Sequence, residues 1–115
     1  MAVGVSHPAK IGQLTIPSGQ QDSAETLSIQ RGRVGLGAGR GIAIFAPPTL
    51  DGTVTVQVQP QAATGWRALY SGGTSVTVPA GAAVVVSPPS FASLRLHADI
   101  AQGADRVFDI DSQIG

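Results

Sequence analysis

The chain of 115 residues contains no cysteine. This absence excludes a disulfide framework and thiolate metal sites, so packing alone has to hold the core together. Charged residues are scarce at 12% of the chain, Lys10 is the only lysine, and acidic and basic side chains balance. Proteins that bind a phosphate backbone carry a basic surface. The composition therefore argues against a nucleic-acid partner.

Long apolar runs are absent as well. No segment approaches the roughly 20 apolar residues that a membrane span requires. The N-terminus lacks the basic start, the apolar run and the small-residue cleavage site of a signal peptide. We therefore expect no membrane partner and synthesis in a cytoplasm without signal-dependent export.

Aliphatic residues, glycine and proline dominate what is present. Aromatic residues make up 4% of the chain, whereas 15 glycines and 8 prolines occur without a strict period. This composition fits short strands joined by tight turns. We expect residues 1–9 to form an extended N-terminal arm and residues 10–115 to form a single β-sandwich domain.

The clearest pattern lies in the middle of the chain, where Val54, Val56 and Val58 alternate with threonine and glutamine. Alternation with a period of two is typical of a strand that buries one face. Farther along, Trp66, Ala68 and Tyr70 are expected to share one side of a strand. Turn-forming residues interrupt this region at 60–65, 71–73 and 79–81. The region therefore predicts a run of consecutive antiparallel hairpins.

Further short strands are expected on both sides of this region. They are residues 11–16, 26–30, 42–45, 94–97 and 106–111. The run at 42–45 is apolar throughout, as in a strand buried on both faces, and no window has convincing helical spacing. The pattern predicts an all-β fold of about eight or nine short strands, arranged as an antiparallel β-sandwich or a jelly-roll-like barrel.

The sequence shows no convincing motif for catalysis or for metal binding. The glycines at 35–41 fall on every second residue and precede a strand, unlike a phosphate loop. His7 and His97 lack a metal-ligand spacing, and no Gly-x-Ser-x-Gly nucleophile elbow occurs. Asp51 and Gly52 are interpreted as a turn pair. We predict no enzymatic activity, no metal and no cofactor.

Two segments are candidates for binding a partner. The arm contains a Ser-His-Pro sequence that disfavours helix, and an arm that orders on docking can wrap over a neighbour. In the glycine-rich segment that follows, guanidinium groups suit bidentate bonds to carboxylates. The alternative is that these arginines are solvated loop charges. The candidate residues are Val3, Val5, His7, Pro8, Arg31, Arg33 and Arg40.

Four segments resemble a family of small all-β structural proteins of tailed bacteriophages. They are Leu-Asp-Gly-Thr-Val-Thr-Val-Gln-Val at 50–58, Gly-Trp-Arg-Ala-Leu-Tyr at 65–70, Val-Thr-Val-Pro-Ala-Gly at 76–81 and Gln-Gly-Ala-Asp-Arg-Val-Phe at 102–108. The resemblance implies a virion component, a decoration or cement protein on the outer capsid surface, made in the host cytoplasm. It also implies the major capsid protein as partner and a homotrimer at local three-fold positions.

Two other functions stay open at this point. A tail- or fibre-associated β-sandwich module that binds host glycans requires an exposed aromatic shelf at Trp66 or Tyr70, because an aromatic ring is a platform for a sugar face. A small enzyme requires titratable groups that converge in a cleft. The sequence offers no such set.

Overall fold

The computed structural model of the protein describes residues 9–29, 41–60, 65–87 and 92–112. All regular structure in these ranges is antiparallel β-strand. The strands are β1 (Ala9–Ile16), β2 (Leu27–Ile29), β3 (Ile42–Phe45), β4 (Val54–Pro60), β5 (Arg67–Ala68), β6 (Tyr70–Ser71), β7 (Thr74–Ser75), β8 (Ala83–Val86), β9 (Ala92–Ala98) and β10 (Arg106–Ser112). The expectation of an all-β, antiparallel protein is confirmed.

The strands form two four-stranded sheets and one small hairpin. The first sheet has the order β1-β10-β3-β8 and the second has the order β2-β9-β4-β5, while β6 and β7 pair with each other. Every pairing is antiparallel. No helix in the described ranges has the length and apolarity that a membrane crossing needs.

Inward side chains of both four-stranded sheets meet in one hydrophobic core. On β9 the inward residues are Leu94 and Leu96, which alternate with the outward Arg95 and His97. Phe108 on β10 belongs to the same core and is fully buried. The alternation of apolar and polar residues in the sequence therefore correctly predicts which side chains of these strands are buried.

Strand β3 has the predicted bounds but differs from the expectation in its burial. Ile42, Ala43 and Ile44 are buried, whereas Phe45 is 41% exposed. The outward side of β3 at Phe45 is thus open. This position becomes part of the surface described below.

The predicted run of consecutive hairpins is only partly right. A local hairpin does join β6 to β7, and Gly72 and Gly73 turn there with positive φ. Strand β8, however, crosses to pair with β3 in the other sheet. The alternation in β8 fixes which face is buried, but either sheet can bury that face, so alternation does not identify the neighbouring strand.

The expected strand from Trp66 to Tyr70 is interrupted at Leu69. The Leu69 side chain packs against the core, and its backbone N–H donates to the Val56 carbonyl. Because of this interruption, Tyr70 is largely exposed and does not share the environment of Trp66.

Candidate functional site

Exposed apolar side chains gather where the first sheet ends at β8. We define the β8 surface as Phe45, Tyr70, Ala83 and Val85. Phe45, Val85 and Tyr70 are 41%, 60% and 64% exposed. Ala83 lies opposite Phe45 in the β3–β8 register, and Val85 lines one groove together with Tyr70. Contiguous exposed apolar side chains mark interaction sites.

The backbone of β8 also has an open edge. The N–H of Ala46 donates to the Ala82 carbonyl at 2.9 Å. Since hydrogen-bonded pairs alternate along an antiparallel ladder, Val84 and Val86 bond to β3, while the N–H and C=O groups of Ala83 and Val85 point away from the sheet. Within the described part of the chain, these groups form no hydrogen bond.

The opposite edge of this sheet is covered at Thr15. The Thr15 N–H donates to the Glu25 carboxylate at 2.8 Å, and the Thr15 carbonyl accepts from the Ala24 N–H at 2.8 Å. A β-bulge between Lys10 and Gly12 further distorts the edge of β1. Bulges and covering loops are common means of blocking an edge strand.

The edges of the second sheet are short or occupied. Strand β2 has three residues and β5 has two. Before β2 begins, the preceding residues continue along β9: the Ser23 N–H donates to the Leu96 carbonyl at 2.9 Å, and the Ala98 N–H donates to the Gln21 carbonyl at 2.7 Å. Strand β8 is therefore the most accessible template for an added strand among the described residues.

A groove runs beside the open edge of β8. Its volume is about 130 Å³ and its wall includes Leu69, Tyr70, Val76, Val85 and Val86. Leu69 and Val76 also pack against the core. A groove of this size has room for one side chain of medium size.

A second, polar group of side chains covers the outward face of the other sheet. The Arg95 guanidinium lies 4.5 Å from the Trp66 ring centroid, and its Nε donates to Gln57 Oε1 at 2.8 Å. Asp22 Oδ1 lies 2.5 Å from His97 Nδ1 and 3.7 Å from Arg95. We call these five residues the Arg95 cluster. Such partly exposed pairs contribute little stability individually, and within the cluster Arg95 is the residue shown to contact the Trp66 ring.

The loops at one end of the two sheets meet around Gln102. This side chain is 2% exposed. Its Nε2 donates to the Asp51 carbonyl at 2.7 Å, and its Oε1 accepts from the Asp51 N–H at 2.9 Å. Asp51 also accepts from the Gly103 N–H at 2.8 Å and from the Arg106 guanidinium at 3.0 Å. The hydrogen bond from Gly103, followed by that from Arg106, lowers the pKa of Asp51 below its usual range.

At Asp51 and Gly52, where a turn pair is predicted, the chain bends, and Gly52 has a φ of +70°. The sequence reasoning missed Gln102. No period marks this residue, because it lies in a loop. Its importance follows only from its contacts with two other loops, that of Asp51 and that of Gln20, whose carbonyl accepts from the Gln102 N–H at 3.1 Å. It does fall within the last of the four segments that carry the bacteriophage resemblance.

The partner-binding residues predicted from sequence lie outside the described residues. This holds for Val3, Val5, His7, Pro8, Arg31, Arg33 and Arg40. The predicted arm likewise lies outside them, apart from Ala9, which begins β1. In the described ranges, no three His, Cys, Asp or Glu side chains converge to hold a metal ion.

The two aromatic residues proposed for a glycan shelf are in different settings. Tyr70 projects at the β8 surface, whereas the Trp66 ring is partly buried and stacks with Arg95. Comparisons of the chain with protein-family models, with curated proteins and with solved structures found no match.

Proposed function

We propose that this protein is a structural component of a bacteriophage virion, a decoration or cement protein bound to the outer face of the capsid. Its partner is the major capsid protein, and its assembled form is a homotrimer. The observation that carries the proposal is the β8 surface, where exposed apolar side chains adjoin an open strand edge. The resemblance of four sequence segments to phage structural proteins gives the partner class.

We further infer that the two four-stranded sheets pack face to face as a β-sandwich. The inference is supported by the single core, to which Leu14 and Phe108 contribute from one sheet and Val56 and Leu94 from the other. Such a body deforms little, because close-packed interiors resist compression. A rigid body bound across two capsid subunits stabilises their contact, since separating them also breaks its own contacts.

Many copies acting together make weak individual contacts sufficient. Binding to the assembled shell and not to its separated subunits favours the assembled state by mass action. When one copy engages two subunits, the second contact forms at a high effective concentration. A surface of modest area at β8 is therefore compatible with a large stabilisation of the whole shell.

The proposal is tested on purified particles. We expect copies on the order of hundreds per shell, as multivalent cementing requires, and a lower rupture temperature for shells that lack the protein. Copy number is measured by quantitative mass spectrometry against the major capsid protein, and rupture by calorimetry. Shells that bind the protein but rupture at an unchanged temperature would refute the cementing role.

The exposed Tyr70 ring favours a second candidate, a tail- or fibre-associated module that binds host glycans. A ring that is 64% exposed offers one face to a sugar. This candidate predicts a handful of copies located at the tail. It also predicts that Tyr70→Ala abolishes retention on host glycans, whereas removal of the Trp66 ring, which stacks with Arg95, has a smaller effect.

A further inference from the structure

We propose that β8 receives an extended, uncharged segment of the capsid shell protein as an added antiparallel strand. This inference rests on the proposed function and deepens it, because it identifies both the docking element and the chemistry of the docked segment. Strand addition of this kind obtains affinity from main-chain hydrogen bonds and specificity from alternate side chains.

The backbone of β8 supplies the first requirement. Ala83 and Val85 each direct one N–H donor and one C=O acceptor to the open edge. An antiparallel strand that places hydrogen-bonded residues opposite both positions satisfies all of these groups. Its length is about four residues, because β8 itself extends only from Ala83 to Val86.

The groove supplies the second requirement. A strand beside β8 points alternate side chains inward and outward. An inward side chain enters the groove between Val86, on the core side of β8, and Leu69 and Val76 across it. The volume of about 130 Å³ suits an uncharged side chain no larger than that of valine, isoleucine or leucine at this position. The outward side chains lie next to Val85.

The residues that line the groove determine which charge the docked segment can carry. None of the residues that line the groove is charged, although polar atoms make up most of its accessible surface: Leu69, Tyr70, Ser71, Val76, Val85, Val86 and Ser87. None of these side chains offers a counter-ion to a charged residue that loses its water on docking. The docked segment is therefore uncharged where it faces the groove.

A segment of a different protein fits this edge better than the β8 strand of a second copy. A second copy joined at β8 brings its own β6–β7 hairpin to the same face of the joined sheet, because the two-fold axis stands perpendicular to that sheet. The residues of this hairpin's first strand, Tyr70 and Ser71, already line the groove in each copy. A single extended segment brings no second hairpin to this face.

Two variants at Val85 separate the contribution of its backbone N–H to shell binding from the contribution of its side chain. Val85→Pro removes the outward N–H without removing a bond to β3, as edge positions tolerate proline. Val85→Thr is the matched control, because it keeps the N–H and a similar shape. On shells stripped of the protein, we expect Val85→Pro to weaken binding by about tenfold or more and Val85→Thr to remain within about threefold of the parent.

Hydrogen–deuterium exchange of the unmodified protein gives an independent readout that no variant can confound. We expect the amides of Ala83 and Val85 to exchange rapidly in the free protein and slowly on shells. Equal shell binding of Val85→Pro and the parent, or unprotected amides on shells, overturns the inference while leaving the proposed function intact. Absence of binding to shells overturns both. Dimerisation without shells that Val85→Pro abolishes overturns the inference by assigning the edge to a second copy.

Discussion

Replacement of Gln102 with leucine tests whether one buried amide holds the loops at this end of the fold together. Leucine fills a similar volume but removes the four side-chain hydrogen bonds of Gln102. Two of these join the Asp51 backbone at 2.7 and 2.9 Å. The other two, to the Ile100 carbonyl and from Arg106 Nε, are longer at 3.2 and 3.3 Å.

The size of the destabilisation depends on which buried groups lose their hydrogen-bond partners when Gln102 is replaced. Each short bond contributes about 1 kcal/mol net, and a donor left unsatisfied in a buried site costs about 1–3 kcal/mol. Asp51 is only partly buried, so water reaches its backbone after a small opening and the cost lies near the lower limit. We expect Gln102→Leu to reduce the free energy of unfolding by about 2–3 kcal/mol.

Urea unfolding followed by the fluorescence of Trp66 measures this difference, because a single domain of this size usually unfolds in one step. Gln21→Leu is the matched control. Gln21 also donates its amide to two carbonyls, those of Ala98 and Asp99, but it is exposed. We expect its loss to cost less than about 1 kcal/mol. Equal destabilisation by the two variants would refute the role assigned to burial at Gln102.

Three further changes are tested by the same unfolding measurement. Gly52→Ala should cost about 2–3 kcal/mol, because in addition to the positive φ its Cβ would lie 2.1 Å from Asp99 Oδ1, which must shift away from the Thr53 N–H that donates to it. Gly72→Ala, which has positive φ but open space around it, should cost about 1 kcal/mol, and equal costs would contradict the contact. Asp51→Asn should destabilise the protein at neutral pH. The lowered pKa of Asp51 contributes stability that is present above its unfolded value and is lost as the pH falls through its folded value. The gap between the parent and Asp51→Asn should therefore narrow below about pH 4, and a constant gap would contradict this. Phe108→Ala should cost about 3–5 kcal/mol, against less than about 1 kcal/mol for the exposed Val107→Ala; similar values would contradict the placement of the core.

Local strand structure could be predicted from the sequence because it depends on neighbouring residues alone. Val54 and Val56, and later Leu94 and Leu96, alternate with polar residues, and in each case the inward set belongs to the core. The turn at Gly72 was also predictable, since glycine adopts positive φ without strain. These features require no knowledge of which strands pair.

Strand partners and the site could not be predicted in this way. Strand β8 pairs with β3, but the alternation that buries Val84 and Val86 is equally compatible with pairing in the other sheet. The sequence pattern therefore does not identify the partner strand. The role of Gln102 depends on three loops that are distant in sequence and meet only after folding. The predicted site residues in the arm and the arginine segment were chosen for chemical type, without a structural context to support them.

The position of β8 connects the fold to the proposed function. Its Ala-Val-Val-Val sequence is apolar on both faces, as in a strand at the centre of a sheet, yet the topology places it at an edge. Edge strands normally carry charge, a bulge or a covering segment. At the opposite edge of the first sheet, β1 has a bulge between Lys10 and Gly12 and a covering segment at Thr15. A strand with this composition, at an edge that the described residues leave open, is suited to completion of the sheet by another chain. On this argument, the mismatch between the composition and the position of β8 is the feature that an interaction with the capsid would preserve.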